Sequence, residues 1–154
     1  DVYKRQEYSF VNTNADEWEN AEKTMACQCS TKYLLKWYRA RKGLPADAPM
    51  NGKLFFDAAN AAEPEALEVL ERFCKAVAVQ IYNLTVLLDV EKVAIGGGIS
   101  AAEALLPAIQ AELDWLFERC TVMPAVKPEL VRCRYGNNAN LIGALKLFFE
   151  QNPA

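Results

Sequence analysis

The residues with the clearest chemical purpose stand together at Val93-Ala94-Ile95-Gly96-Gly97-Gly98-Ile99-Ser100. Three of the chain's seven glycines follow one another here, between a strand pattern and a helix pattern. Glycine loses more backbone freedom on folding than any other residue, so a run of three has to be explained. A backbone without Cβ lets a ligand approach closely, and the helix behind it offers unpaired N–H groups to an anion. A flexible strand-to-helix turn is the other explanation, since short glycine motifs match by chance often. A second segment, Tyr135-Gly136-Asn137-Asn138-Ala139-Asn140-Leu141-Ile142-Gly143-Ala144, again joins a strand to a helix. Asn137 and Asn138 tolerate left-handed geometry and can cap the helix. Gly143 inside an apolar helix costs about 1 kcal/mol relative to alanine, and a close helix-to-backbone contact would account for it.

Other chemistry is excluded by what is missing. The chain has no histidine, which removes Ser-His-Asp and Cys-His nucleophile pairs, a histidine general base and histidine metal ligands. Its five cysteines (27, 29, 74, 120 and 133) are odd in number and no secretory signal precedes them, so they read as reduced thiols of a cytosolic protein. Cys27 and Cys29 are one residue apart, and two thiolates at that spacing are not a zinc site by themselves. Seventeen basic and twenty acidic residues give a net charge of −3, so no basic excess steers the chain onto nucleic acid. The longest apolar stretch, Ala76 to Val90, is interrupted by Gln80, Asn83, Thr85 and Asp89 and is too polar and short to span a bilayer. With 52% apolar and 24% charged residues over 154 positions, the composition is that of a globular domain burying about two thirds of its unfolded surface.

The motifs need elements to hold them. Tyr8 to Val11 reads as a short strand, with Asn12, Thr13 and Asn14 as its turn. Cys27 to Arg41 reads as a helix with Ser30 as N-cap, basic residues in its last turn and Gly43 at the left-handed position beyond it. Pro45 to Pro49 is a loop, and a short helix follows over Lys53 to Ala61. Glu63-Pro64 opens the longest helix. Its apolar residues Leu67, Leu70, Phe73, Val77, Ile81, Leu84 and Leu88 form one stripe, and Asp89 ends it. Glu91 to Ile95 is a strand. A second long helix covers Ala101 to Arg119, with Leu105, Ile109, Leu113 and Leu116 inward. Pro124 and Pro128 bracket a loop, and Leu130 to Tyr135 alternates with the period of a strand. Ala139 to Glu150 is a last apolar helix ending near Pro153. Strands alternating with helices point to α/β architecture with parallel pairing.

Together the two glycine segments become specific. A buried strand ending in Ile95-Gly96-Gly97-Gly98-Ile99-Ser100, a helix, a second strand and the run Gly136 to Ala144 resemble the ROK family, which groups sugar kinases with related transcriptional repressors. The helix carrying Asn83-Leu84 before the glycine strand resembles it too, as does the tract from Lys53-Leu54-Phe55 through Ala58 and Ala66 to Phe73. The resemblance runs from Trp18 to Glu150. It implies the α/β, ribonuclease-H-like fold of the actin and hexokinase superfamily, with the triple glycine against the adenosine portion of a nucleotide. Gly96, Gly97 and Gly98 are then the nucleotide-binding residues. ATP with magnesium, a sugar substrate, a homodimeric parent and a cytoplasmic location are implied with them.

The departures from the family pattern are equally specific. No Asp-x-Gly-x-Thr phosphate loop occurs, and Asp1, Asp16, Asp47, Asp57, Asp89 and Asp114 match no catalytic context of the family. The resemblance therefore implies that residues 7–154 are a partial C-terminal lobe, inactive alone, whose catalytic aspartate lies upstream. The first six residues, Asp1 to Gln6, read as a non-native lead. Family zinc sites combine a histidine with a Cys-x-Cys-Gly-x-x-Gly-Cys run, so the chain resembles the zinc-free, β-glucoside-kinase-like or glucokinase-like members. Trp18-Glu19, placed before the helix-starting Ser30 with extra residues between, resembles the element that carries the family's sugar-binding glutamate, which would make Glu19 the sugar contact. Read on its own, Glu19 is a solvated carboxylate in the acidic run Asp16 to Glu19. Two further readings remain. One is the sugar-sensing lobe of a repressor with DNA-binding helices upstream. The other is a dinucleotide-binding domain, because Gly96 to Ala101 formally satisfies G-x-G-x-x-G/A. That fingerprint expects an acidic strand end about 20 residues on, where Trp115 to Arg119 reads as helix.

Overall fold

The computed structural model describes residues 8–12, 14–120 and 126–152. The readings for residues 1–6, Thr13, Pro124 and Pro153 lie outside the described residues. In chain order the elements are α1 (Met25–Gln28), α2 (Thr31–Arg41), α3 (Gly52–Asn60), α4 (Pro64–Leu88), β1 (Lys92–Ile95), α5 (Leu105–Arg119), β2 (Glu129–Arg132) and α6 (Ala139–Gln151). Short 3-10 turns cover Tyr8–Phe10, Ala15–Glu17, Ala21–Lys23, Gly98–Ala101 and Gly136–Asn138.

Local chemistry sets most boundaries. Ser30 takes an extended conformation and its Oγ accepts from the Tyr33 N–H at 3.3 Å. This cap breaks the single helix expected from Cys27 into α1 and α2, because a capping residue cannot itself be helical. At the other end of α2, Gly43 sits at φ 65° and the Leu44 N–H donates to the Arg39 carbonyl at 2.9 Å, a Schellman closure. Asn51 caps α3 through its Oδ1, which accepts from the Leu54 N–H at 3.0 Å. The same closure ends α3, with the Glu63 N–H on the Ala58 carbonyl at 3.1 Å, but here the left-handed position holds Ala62 at φ 58°. Pro64 occupies the first turn of α4, and Asp89 ends it in left-handed geometry at φ 50°.

The core lies between α4 and the helices packed on it. Leu34, Leu35 and Tyr38 of α2, Phe55, Phe56 and Ala59 of α3, and Leu105, Ile109 and Leu113 of α5 are buried against it. Tyr38, Phe55 and Phe56 make a chain of edge-to-face contacts at centroid distances of 5.1 and 5.2 Å. The buried face of α4 is Ala66, Val69, Leu70, Phe73, Cys74, Ala78, Gln80, Ile81 and Thr85. This corrects the expected stripe. Leu67 and Leu88 point outward, 45% and 66% exposed, while small residues take inward positions where α5 comes close. The buried Thr85 hydroxyl is satisfied by donating to the Ile81 carbonyl at 2.8 Å.

β1 and β2 pair in parallel, in register from Lys92 with Glu129 to Ile95 with Arg132, and α5 is the crossover between them. Tyr8 to Val11 is not a strand. Tyr8–Phe10 is a 3-10 turn whose Tyr8 hydroxyl donates to Gln80 Oε1 at 3.0 Å, and only Asn12 makes an antiparallel bridge, to Thr24. So short a segment holds its place through that side-chain anchor on α4 rather than a ladder. The second long helix begins at Leu105, not Ala101, because a 3-10 turn and an extended Ala102 precede it. β2 stops at Arg132, and the ladder continues only through the Cys133 N–H on the Ile95 carbonyl at 2.8 Å. No described helix is long and apolar enough to cross a membrane.

Two consequences are measurable. Alanine at a left-handed position carries strain of about 1–2 kcal/mol that glycine does not. Ala62→Gly should therefore raise the urea midpoint by about 1 kcal/mol equivalent, after its larger unfolded-state entropy is offset; a lower midpoint would refute strain at Ala62. The second concerns Glu63, which accepts from the Tyr38 hydroxyl at 2.7 Å and pairs with Lys42 at 2.7 Å. The Lys42 hydrogen bond first, and then that of Tyr38, hold its carboxyl below the usual range. A lowered folded-state value favours the ionised form. The stability from this clasp is thus present above the unfolded carboxylate value of about 4.3 and is lost as pH falls through the lowered folded value. Glu63→Gln should remove part of the acid limb of a stability-against-pH curve, and superimposable limbs would sink the clasp.

Candidate functional site

The glycine run is divided between two cavities. Gly96 closes the end of β1, where a Cβ would stand 3.3 Å from Cys133 Cβ. Gly97 then adopts φ 89° and ψ 178°, a conformation almost confined to glycine. Ser100 fixes this turn from inside. It is buried, and both its N–H and its Oγ donate to the Gly97 carbonyl, at 3.1 and 2.7 Å.

The larger cavity, about 560 Å³, opens between this turn and α3. Its floor is Gly98, Ile99, Ala101 and Ala102, and its opposite wall is Lys53, Phe56, Asp57 and Asn60, with Thr31 and Asn51 at one end. The gap is set where Gly52, the first residue of α3, meets Ile99: a Cβ at Gly52 would lie 2.9 Å from Ile99 Cγ2. Lys53 and Asp57 pair at 3.0 Å, leaving this wall without net charge. The volume is that of a small-molecule site, and the mixture of Phe56 and Ile99 with a few polar ends suits a flat heteroaromatic group. Sequence reasoning missed the α3 wall. The signal available was Asn51-Gly52, a cap residue followed by a glycine at a helix start with no turn to require it.

The smaller cavity, about 340 Å³, brings the two sequence motifs together: Ala94, Gly96, Gly97 and Cys133 face Gly136, Ala139 and Asn140. The left-handed residue of the second motif is Gly136, at φ 49°. Asn138 occupies the N-cap of α6 but makes no side-chain cap, which corrects the capping role expected for it, because the 3-10 turn runs straight into the helix. The first-turn N–H groups of α6 are thus not capped by Asn138, at the end of the helix that favours anions. Gly143 has nothing within 4 Å of a built Cβ, so the expected close contact is not made within the chain.

Glu19 is exposed, between two 3-10 turns, and lines neither cavity. Cys29 is partly buried, and desolvation pushes its thiol up to about 12, which opposes the thiolate a zinc ion needs. Cys74, fully buried on α4, is pushed up to about 12 for the same reason. No three Cys, Asp or Glu residues among the described ones converge on a point that could hold a metal ion. Cys27 and Cys29 therefore do not fit a zinc site.

Comparison with known proteins bears on this geometry. A family model described as the ROK family matches residues 22–151. A β-glucoside kinase of Klebsiella pneumoniae is 28% identical over 120 residues, covering 78% of this chain and 37% of that protein. An N-acetylmannosamine kinase of Pasteurella multocida is 33% identical over 98 residues, covering 62% of this chain and 30% of that protein. Among solved structures, a ROK family protein from Streptococcus pneumoniae in complex with sucrose superposes with a TM-score of 0.79 at 23% identity, over 94% of this chain and 48% of that one. A ROK family glucokinase from Streptomyces griseus in complex with glucose and AMPPNP gives 0.76 at 19% identity, over 93% and 51%. The chain thus spans about a third of these curated relatives and about half of these solved ones. The fold expected from the two motifs is the fold observed.

The turn geometry can be checked directly. Gly97→Ala meets no neighbour but must adopt a glycine-only conformation, and should cost about 1–3 kcal/mol of stability in urea. Gly143→Ala, in open helical space, should instead gain about 0.5–1 kcal/mol. Equal effects at the two positions would contradict the backbone assignment at Gly97.

Proposed function

This chain belongs to the ROK family, and on that membership we propose that it is the nucleotide-binding part of an ATP-dependent sugar kinase. The observation that carries the reading is the cavity between Gly98–Ala102 and the Lys53–Asn60 face of α3. The adenine and ribose occupy this cavity, with Phe56 and Ile99 against the base. Thr31 and Asn60, whose side chains make no hydrogen bond among the described residues, supply its polar contacts. The phosphates leave past Gly96 and Gly97 into the smaller cavity, where backbone N–H groups at the start of α6 meet them. That route uses all three predicted glycines, Gly98 for the nucleoside and Gly96 and Gly97 for the phosphates.

The reaction class is phosphoryl transfer to a sugar hydroxyl, in which the protein contributes mainly positioning and charge neutralisation. The relatives support the acceptor class, since those matched are named as kinases of sugars or sugar derivatives. Magnesium travels with the nucleotide and neutralises phosphate charge when bound; this chain's part is to hold the nucleoside. On this reading the aspartate that takes the hydroxyl proton lies outside these 154 residues, which alone are inactive. Glu19 is retained as a sugar contact, accepting hydrogen bonds from hydroxyls. The dinucleotide reading has less support, because β2 ends on Arg132 rather than an acidic residue and α5 does not begin directly behind the glycines.

Two substitutions separate the two substrates. Ala101 is exposed and lines the larger cavity, so Ala101→Trp in the full-length enzyme should fill it without disturbing the core. The KM for ATP should rise at least about tenfold, a loss of about 1.4 kcal/mol of binding, with the sugar KM unchanged. Glu19→Gln should do the reverse. An unchanged ATP KM in the first variant would remove the nucleoside from this cavity, and an unchanged sugar KM in the second would return Glu19 to the solvated surface.

A further inference from the structure

A third cavity, about 340 Å³, shares no residue with the two that the glycines line. It is a groove between α2 and α4, with Trp37, Ala40 and Arg41 on one side and Glu68, Val69 and Arg72 on the other. Its floor is fixed. Val69 is buried, Trp37 packs against the core, and Tyr33 meets the Trp37 ring edge to face at a centroid distance of 6.4 Å.

Two guanidinium groups stand in this groove in different states. Arg41 Nε donates to Glu68 Oε2 at 2.7 Å, so its charge is met within the chain. Arg72 makes no ion pair or hydrogen bond among the described residues; its Cζ lies 3.9 Å from the centroid of the Trp37 ring. Stacking of this kind uses the face of a guanidinium and leaves its N–H edge for a planar partner. An unpaired arginine on an open surface is simply solvated. Arg72 is instead held on an aromatic ring inside a concavity, so part of the cost of ordering its side chain for a ligand is already met.

The charges and the lining select the ligand. Arg41, Glu68 and Arg72 leave one net positive charge, which a single carboxylate matches. A phosphate dianion would exceed it while facing the Glu68 carboxylate. The two oxygens of a carboxylate also fit the guanidinium fork in one plane. Beyond Arg72 the groove offers Trp37, Ala40 and Val69, and its volume is at the lower end for a small-molecule site. We propose that the groove between α2 and α4 binds a small monocarboxylic acid with an apolar body, its carboxylate forked by Arg72 and its body against Trp37 and Val69. Trp37 stands six residues (37 − 31) beyond Thr31, about 9 Å along α2, so the acid sits on the helix whose first residue lines the larger cavity. The groove is a second ligand site beside that cavity and not a part of it.

Benzoate is the probe, titrated at constant ionic strength into the nitrogen-labelled chain and followed by NMR. The Trp37 indole N–H signal is one of three tryptophan signals and is identified by its loss in Trp37→Phe. It should shift saturably with a midpoint of about 1 mM. Benzyl alcohol, which keeps the ring and lacks the charge, should leave it in place, as should inorganic phosphate. Arg72→Gln should weaken benzoate at least about tenfold, and Arg72→Lys should not restore it, because an ammonium keeps the charge and loses the fork. Both substitutions replace an exposed side chain, so the fold is retained. Ala40→Phe, also at an exposed position, fills the groove while leaving both guanidinium groups, and should abolish the shift. Absence of a benzoate shift at about 20 mM would overturn the proposal. So would an equal shift with benzyl alcohol, a tighter response to phosphate than to benzoate, or full affinity in any of the three groove variants. None of these readouts depends on kinase activity or on nucleotide binding, so they stand apart from the proposed reaction.

Discussion

Everything that positions the two glycine motifs follows from the packing of α5 on α4. The inward face of α4 is built partly from small residues, Ala66, Cys74 and Ala78, each fully buried, and these let a second helix approach closely. From α5 come Leu105, Ile109 and Leu113, and Tyr82 of α4 meets Phe117 of α5 edge to face at 5.3 Å. α4 delivers the chain into β1 through the left-handed Asp89, and α5 delivers it into β2. A two-stranded parallel sheet has little stability of its own. The register of β1 and β2 is therefore inherited from the two helices, and with it the distance between the glycine turn at Gly96–Gly98 and the second motif at Gly136–Asn140.

The glycine side of the site is mostly backbone. Its walls approach where side chains have been removed: Gly52 against Ile99, and Gly96 against Cys133. The Ser100 side chain holds the turn from inside by donating to the Gly97 carbonyl. Such a site selects by shape and by exposed N–H groups more than by charge, which agrees with the neutral Lys53–Asp57 pair on the opposite wall.

How much of this the sequence carried depends on the kind of signal. Caps and closures are local, and Ser30, Gly43, Pro64 and Asp89 could be read directly because their chemistry acts within one turn. The triple glycine was readable as a place where positive φ is needed, and Gly97 adopts it at 89°. The face of α4 departs from its periodicity because periodicity weights large apolar residues, whereas close helix packing selects small ones; Leu67 and Leu88 are exposed while Ala66 and Cys74 are buried. The amino-terminal turns had no period to read, being held by Asn side chains and by Tyr8 on Gln80. The α3 wall was invisible for another reason. Lys53, Phe56, Asp57 and Asn60 become neighbours of Gly98 only through the Gly52–Ile99 contact, a relation between residues 47 positions apart (99 − 52) that no local pattern encodes.

The two cavities also differ in what determines them. Both walls of the larger one, α3 and the Gly98–Ala101 turn, are tied to the core: Phe56 is buried in it, and Ile99 packs against it. Its shape is a property of this chain alone. One wall of the smaller cavity is the base of α6, which touches little beyond the turn before it and keeps its direction through Gly136. No residue of α6 is buried, so the core does not hold that wall as it holds α3. On the proposed reading, nucleoside binding and phosphate alignment are therefore separable. The first is settled by packing around α4, and the second by the turn at Gly136 from which α6 departs.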